Sequence, residues 1–419
     1  MRQCLTSPEG GYYTSAQEGR DQFGTKGDFI TSPEISQIFG ELIGVWMVAE
    51  WMAQGSKGAA VELIEVGPGR GTLMDDMLRT IRNFKPLQSS IEAVYLVESS
   101  PVLREAQKQL LCGDAPMEET SDGFRSRSKY SDLPVVWCED IRFVPKDTGK
   151  SPFIVAHEFF DALPVHVFQS VAPSQSQIQT GPTNLPPKAS AVPQWRELLV
   201  SPTSPYAASA TTAGENVKEF EMSLAKASTP NSLVMPETSE RYKALKGQAG
   251  STIEVCPEGQ SYAEEFARRI GGNQEGGSGA ALIIDYGPAT TIPVNSLRGI
   301  RSHQSVSPFS SPGRVDISAD VDFTGLAEAA LRASENVEVH GPAEQGYFLQ
   351  AMGIQERATQ LLKSVAATDE EKRKRLESGW KRLVERGGGA MGKIYKAMAI
   401  VPLSKAQRRP VGFGGDVAA

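Results

Sequence analysis

The sequence predicts an α/β fold built on a parallel sheet with helices on both faces. Three observations carry the prediction. Short apolar runs of strand length alternate with amphipathic stretches of helix length. A glycine-rich turn follows the first such run directly and opens a helix. Acidic residues stand at the ends of consecutive runs, the edge where ligands of open α/β sheets collect.

In chain order, residues 32–54 read as a helix. Ser32 would cap it, and Pro33 suits the first position, where a missing N–H costs nothing. Ile35, Ile38, Phe39, Leu42, Ile43, Trp46 and Met47 follow a 3.6-residue stripe. Residues 61–66, 91–98, 133–139 and 153–157 read as buried strands, with crossover helices at 72–84 and 101–111. From 170 to 193 the order breaks: 17 of 24 residues are Ser, Thr, Pro, Gln or Ala, and none is acidic. Such a stretch buries too little apolar area to offset its ordering entropy. It reads as a disordered loop extending through 201–214, with a short strand at 195–200 between. Residues 271–279 read as a flexible turn before a strand at 280–285, and 292–318 are polar and punctuated by Pro and Ser. Helices are expected at 321–333, 344–365 and 369–386, and a closing apolar strand at 393–401.

The composition narrows the function classes. With 43 Lys plus Arg against 50 Asp plus Glu, the net charge is −7, which argues against broad phosphate-backbone binding. The chain is 40% apolar and 22% charged, which allows a large core and excludes global disorder. Cys4, Cys112, Cys138 and Cys256 stand far apart, without CxxC or zinc spacing, and read as reduced structural thiols. The longest apolar run, 42–52, is interrupted by Glu50 and is too short to cross a bilayer. The first residues hold neither an apolar signal core nor a long Arg/Ser-rich leader. Either the protein acts where it is made, or the first segment of the natural product lies outside this sequence.

Glu65-Val66-Gly67-Pro68-Gly69-Arg70-Gly71 is the sharpest local signal. Glycines at such a turn let a ligand lie against bare backbone, and the helix N-terminus offers unpaired N–H groups. The spacing is GxGxG, not the GxGxxG of a pyrophosphate site, and Glu65 would repel a phosphate but welcome an ammonium group. That favours S-adenosyl-L-methionine over NAD or FAD, with a bare βα turn as the alternative. Glu98 closes the second strand, where a carboxylate accepts both ribose hydroxyls. Asp140 follows the third, where an adenine amino group would lie, although a surface acid capping a turn describes it equally well.

The fourth strand runs into His157-Glu158-Phe159-Phe160-Asp161-Ala162-Leu163-Pro164. An HExxH zinc site fails here, because Asp161 stands where the second His belongs and Pro164 cuts the required helix; no metal is expected. A paired-carboxylate pocket of Glu158 and Asp161 would suit a guanidinium, whose planar fork offers several donors. At most one of Phe159 and Phe160 is expected to touch substrate.

With these residues together, the sequence resembles the MidA-like family, the mitochondrial protein arginine methyltransferases that act as complex I assembly factors. The resemblance spans nearly the whole chain. It runs through Gly10-Gly11-Tyr12-Tyr13, Gly27-Asp28-Phe29-Ile30-Thr31-Ser32-Pro33-Glu34-Ile35, Phe39-Gly40-Glu41, the glycine loop and Val97-Glu98-Ser99-Ser100-Pro101. It continues through the segment from Glu158 to Pro164, then Ile284-Asp285-Tyr286-Gly287, Gly313-Arg314-Val315-Asp316, Asp320-Val321-Asp322-Phe323 and Met391-Gly392.

The resemblance implies a seven-stranded class I S-adenosylmethionine-dependent methyltransferase (Rossmann-like) fold with an added, mostly helical substrate-recognition region. It also implies symmetric dimethylation of an arginine on a core iron–sulfur-protein subunit of complex I, in the mitochondrial matrix. Glu65, Gly67, Pro68, Gly69, Gly71, Glu98 and Asp140 would hold the cofactor, Glu158 and Asp161 would face the arginine, and residues 27–34 would close over the site. The expected division is a cap at 1–55, the cofactor-binding core at 56–169, a disordered insertion at 170–214, a helical addition at 215–278, the rest of the sheet and helices at 279–402, and a flexible tail at 403–419. Three departures from the family pattern stand out: His157 where relatives commonly have Asn, the 170–214 insertion, and a start inside what is usually a longer N-terminal region, with import leader and first helix missing. The rivals are a non-catalytic complex I assembly chaperone that keeps the methyltransferase shell, and a nucleotide-dependent oxidoreductase, which the GxGxG spacing and Glu65 oppose. Nucleic acid is not expected as a partner, and the Lys/Arg-rich 372–386 stretch reads as a solvated helix face.

Overall fold

The computed structural model describes residues 1–14, 28, 30–55, 60–121, 123–146, 149–172, 193–203, 220–272, 276–366, 368–404 and 408–414. Helix α1 (Arg2–Thr6) comes first, then α2 (Ser32–Ile35) and α3 (Gln37–Ala53) in place of the single helix expected over 32–54. The break is local chemistry. Ser36 is extended, its hydroxyl accepts the N–H of Ile38, and it caps α3; Thr31, not Ser32, is the cap of α2.

Strand β1 (Val61–Val66) leads through α4 (Thr72–Ile81) and α5 (Lys85–Ser90) to β2 (Ile91–Val97). Helix α6 (Pro101–Cys112), the hairpin β3 (Glu118–Thr120) and β4 (Gly123–Arg127), β5 (Pro134–Cys138) and β6 (Ser151–His157) follow. β1 is buried at all six positions, as a parallel strand covered on both faces must be. Next come β7 (His166–Val171), β8 (Gln194–Pro202), β9 (Phe220–Leu224), α7 (Pro230–Val234), α8 (Glu240–Lys246) and β10 (Thr252–Val255). The chain then forms α9 (Pro257–Gly271), β11 (Ala280–Tyr286), β12 (Arg298–Arg301), β13 (Gln304–Val306), β14 (Asp316–Ser318) and α10 (Phe323–Ala333). It closes with β15 (Val337–Glu344), α11 (Gln345–Ala351), α12 (Ile354–Ser364), α13 (Glu370–Val384) and β16 (Tyr395–Pro402).

The main sheet has nine strands in the order β15-β16-β11-β6-β1-β2-β5-β4-β3. β11, β6, β1, β2 and β5 are parallel, and β16 inserts antiparallel between β11 and β15. These are the seven strands the resemblance implies, and the β3–β4 hairpin extends them at one edge. One core lies under α3, α4, α12 and α13, around Trp46, Met77, Leu63 and Leu349. The other lies under α9 and α10, around Phe266, Phe323, Ile64 and Ile283. The result is three layers with the sheet in the middle.

Several elements differ from expectation. The 344–365 helix divides at Gly353, which takes φ +82°. Residues 337–344 form a strand, which its Gly341-Pro342 pair and a register shift between His340 and Ala343 obscure. The 215–278 region is helical at α7, α8 and α9, but β9 precedes these helices and β10 lies between α8 and α9; both strands join β7 and β8 in a four-stranded antiparallel sheet, order β10-β7-β8-β9. The polar 292–318 stretch contains the three-stranded sheet β13-β12-β14. The disordered readings of 170–193 and 201–214 fall largely on residues outside those described.

Candidate active site

The chain runs from β1 outward through β2 to β5, then returns across β1 to β6 and β11 on the other side. At such a reversal the connections leave in opposite directions, and a crevice opens at the carboxyl ends of β1 and β6. A cavity of about 300 Å³ lies there. Its wall includes Glu65, Gly67, Pro68, Gly69, Glu98 and Asp140, so the strand-end acids and the glycine loop converge as their positions predict. Gly71 stands just behind, capping α4 at φ +84°, where a Cβ would meet Gln107.

Glu65 is buried at the end of β1, and its Oε2 has no hydrogen-bond partner among the described residues. Burial, and then the charge of Glu98, push its carboxyl well above the usual range. Glu98 accepts the N–H of Ser100 at 2.7 Å and the Gln107 amide at 3.0 Å, and burial still lifts it to about 7. Gln107 also donates to the Gly69 carbonyl at 2.6 Å and accepts the Trp137 indole N–H at 2.9 Å, so one buried amide fixes the glycine loop relative to Glu98. Two buried carboxylates with an unmet acceptor suit a ligand bearing an ammonium group and hydroxyls, which is what S-adenosyl-L-methionine presents. Asp140 lies just after β5. It lines the cavity, and it caps the short turn Ile141–Phe143 through the Arg142 N–H, while the Arg142 guanidinium holds it below the usual range.

The turn after β6, beside the glycine loop, is a further part of the wall. Glu158 takes φ +49°, rare for a residue with a side chain. Its N–H reaches Ile284 O at 3.0 Å, and the next three N–H groups converge on Asp285 Oδ2. That conformation holds the Glu158 carboxylate at the cavity wall, with Oε1 buried, unbonded among the described residues and 3.4 Å from His157 Nε2. Burial and the nearby Asp161 charge raise the Glu158 carboxyl to about 8, and burial pushes His157 down to about 3, so its imidazole is neutral. Asp161 is placed behind this wall rather than on it. It is buried, accepts the Tyr286 hydroxyl, and is lifted by burial to about 6. Phe159 lines the cavity and Phe160 packs into the core.

Sequence reasoning misses several wall residues: Tyr13, Glu258 and Tyr262. They come from the N-terminal segment and α9, outside the series of strand ends, and no spacing rule ties them to the site. Thr31, Pro33 and Glu34 belong to the segment expected to close over it, whereas Gly27 and Phe29 of that segment lie outside the described residues. Among the described residues no group of three or more His, Cys, Asp or Glu side chains could hold a metal ion, and no helix is long and apolar enough to cross a membrane.

The family described as "Putative S-adenosyl-L-methionine-dependent methyltransferase" matches residues 42–343. A Xenopus tropicalis protein named protein arginine methyltransferase NDUFAF7, mitochondrial, is 35% identical over 411 residues, covering 97% of this chain and 82% of that one. The human protein of the same name is 35% identical over 412 residues, covering 97% and 80%. A Burkholderia thailandensis protein solved bound to S-adenosyl-homocysteine shares the fold, with a TM-score of 0.65 and 21% identity over 99% of this chain and 87% of that one. With the family match over residues 42–343 and these relatives, this chain belongs to that family of S-adenosyl-L-methionine-dependent methyltransferases.

Proposed function

We propose that this chain is a type II protein-arginine N-methyltransferase acting in the mitochondrial matrix. Its substrate in this reading is an arginine on a core iron–sulfur-protein subunit of complex I, and the product is symmetric dimethylarginine. The relatives' names support the arginine and the compartment. The observation that carries the reading is Glu158, a carboxylate with a buried oxygen that is unbonded among the described residues, on the wall of the cavity that Glu65 also lines.

Bound S-adenosyl-L-methionine supplies an electrophilic methyl group on a sulfonium. The chain's own residues do the positioning. Glu65 takes the ammonium group, Glu98 the ribose hydroxyls and Asp140 the adenine amino group. Gly67, Pro68 and Gly69 give the ligand bare backbone, and Gly71 sets the helix behind them. Glu158 Oε1 accepts a guanidinium N–H, orients the nitrogen and stabilises the charge that grows on it. Asp161 adds a negative charge behind Glu158 and is held by Tyr286.

Mass spectrometry of the complex I subunit, isolated with and without this protein in the cell, tests the reading. A symmetric dimethylarginine that depends on the protein is expected. An unchanged subunit in a cell that still needs the protein for complex I assembly favours the chaperone instead.

A further inference from the structure

The cofactor's amino-acid group carries a carboxylate as well as an ammonium, and the acids of the cavity can meet only the second. Among the described residues that line the cavity, Arg2, Arg70 and His157 are the side chains able to carry positive charge. His157 is buried and neutral. Arg2 pairs with Glu258 at the Asp140 side, where Tyr262 feels the charges of both Asp140 and Arg2. Arg70 remains, inside the glycine loop and close in sequence to Glu65, the residue assigned to the ammonium. The Arg70 guanidinium stands 3.3 Å from Glu34 Oε1, with the two side chains 34% and 11% exposed. Glu34 also lines the cavity, and after burial and Asp161 its charge is among those that lift the Glu158 carboxyl.

We propose that Arg70 takes the carboxylate of the cofactor's amino-acid group and in doing so gives up Glu34, which then faces the arginine beside Glu158 as the second carboxylate of the acceptor pocket. The Arg70 half stands on the cofactor alone; the Glu34 half rests on the arginine reading above. Charge bookkeeping supports the exchange. A zwitterionic amino-acid group brings one charge for Glu65 and one for Arg70, and the carboxylate displaced from Arg70 is left to a cation arriving in the same cavity. The acceptor pocket is then complete only in the loaded protein, so the cofactor binds first and the arginine second.

Titration calorimetry with S-adenosyl-homocysteine and with 5′-methylthioadenosine, which lacks the amino-acid group, separates the carboxylate contact from the rest. Arg70→Met is expected to weaken S-adenosyl-homocysteine by about tenfold or more and to leave 5′-methylthioadenosine within about twofold, with Arg70→Lys recovering part of the loss. Equal weakening of both ligands, or of neither, overturns the assignment. An arginine peptide followed by fluorescence anisotropy is expected to bind the wild-type chain about tenfold tighter with S-adenosyl-homocysteine present, and Glu34→Gln is expected to remove that difference. Equal peptide affinity in the free and loaded wild-type protein overturns the release of Glu34. A peptide that binds in neither state overturns it together with the arginine reading, while the ligand pair still decides the Arg70 half.

Discussion

Asp285 Oδ2 accepts the backbone N–H of Phe160 at 2.9 Å, and the N–H groups of Phe159 and Asp161 reach the same atom at 3.1 and 3.3 Å. A carboxylate at the end of β11 thereby fixes the turn after β6, and with it the positive φ of Glu158. Such a backbone conformation costs on the order of 1–3 kcal/mol and persists only where the surroundings over-determine it.

Asp285→Ala takes the carboxylate acceptor from the N–H groups of Phe159, Phe160, Asp161 and Tyr286 and is expected to lower stability by about 3 kcal/mol in urea unfolding. A loss below about 1 kcal/mol would mean that the turn holds without the clamp.

Glu158→Gln keeps the shape of the wall and removes the charge. Cofactor affinity by calorimetry is expected to stay within about twofold, while methyl transfer falls by at least about a hundredfold, the scale of a lost charged contact made in the transition state. Unchanged turnover removes Glu158 from the mechanism.

Gly69→Val is expected to abolish cofactor binding, because Gly69 sits at φ +53° on the cavity wall and a branched side chain would occupy ligand space in a strained backbone. Gly67→Ala acts differently. Its Cβ would lie 2.6 Å from Phe159 Cδ2, so it should disturb the neighbouring Glu158 turn and lower turnover as well as affinity. Normal calorimetric affinity of Gly69→Val would refute the loop assignment.

The buried acids make binding and stability depend on pH with opposite signs. Glu98 titrates near 7 and Glu65 lies well above the usual range in the free protein, and an ammonium and hydroxyl donors favour their ionised forms. Binding should therefore release protons near neutral pH and tighten as pH rises through about 7. Calorimetry in two buffers of different ionisation enthalpy reads this directly, and proton uptake would contradict it.

Ligand-free stability should move the other way. Glu98 and Asp316 near 7 and Glu158 near 8 all lie above their unfolded values, so between about pH 4.5 and 8 the folded state binds more protons than the unfolded state. Their contribution is fully present below that window and is lost as pH rises through it, which predicts a melting temperature that falls toward pH 8. Glu158→Gln should flatten the upper end of that fall, and an unaltered slope would place the titration elsewhere.

How much of this is legible in the sequence depends on where each signal resides. β1, β2, β5, β6 and β11 announce themselves because buried parallel strands are continuous apolar runs, and the acids at their ends follow by position. β14 is three buried residues, Asp316-Ile317-Ser318, and β9 alternates weakly because it is only half covered, so neither has a period to read. Gln107 looks like a polar residue on an exposed helix until Trp137, Gly69 and Glu98 close around it. Asp161 resembles a partner for Glu158 by spacing, yet Glu158's positive φ starts a turn that carries Asp161 toward Tyr286. Glu34 and Arg70 lie 36 positions apart, and only the folded chain brings them together.

The central claim is that this chain transfers a methyl group to arginine. Purified protein with methyl-labelled S-adenosyl-L-methionine and the complex I subunit, followed by amino-acid analysis of the labelled product, tests it most directly. Label in symmetric dimethylarginine, lost in Glu158→Gln, is the predicted result; no label, or label in another amino acid, would contradict it.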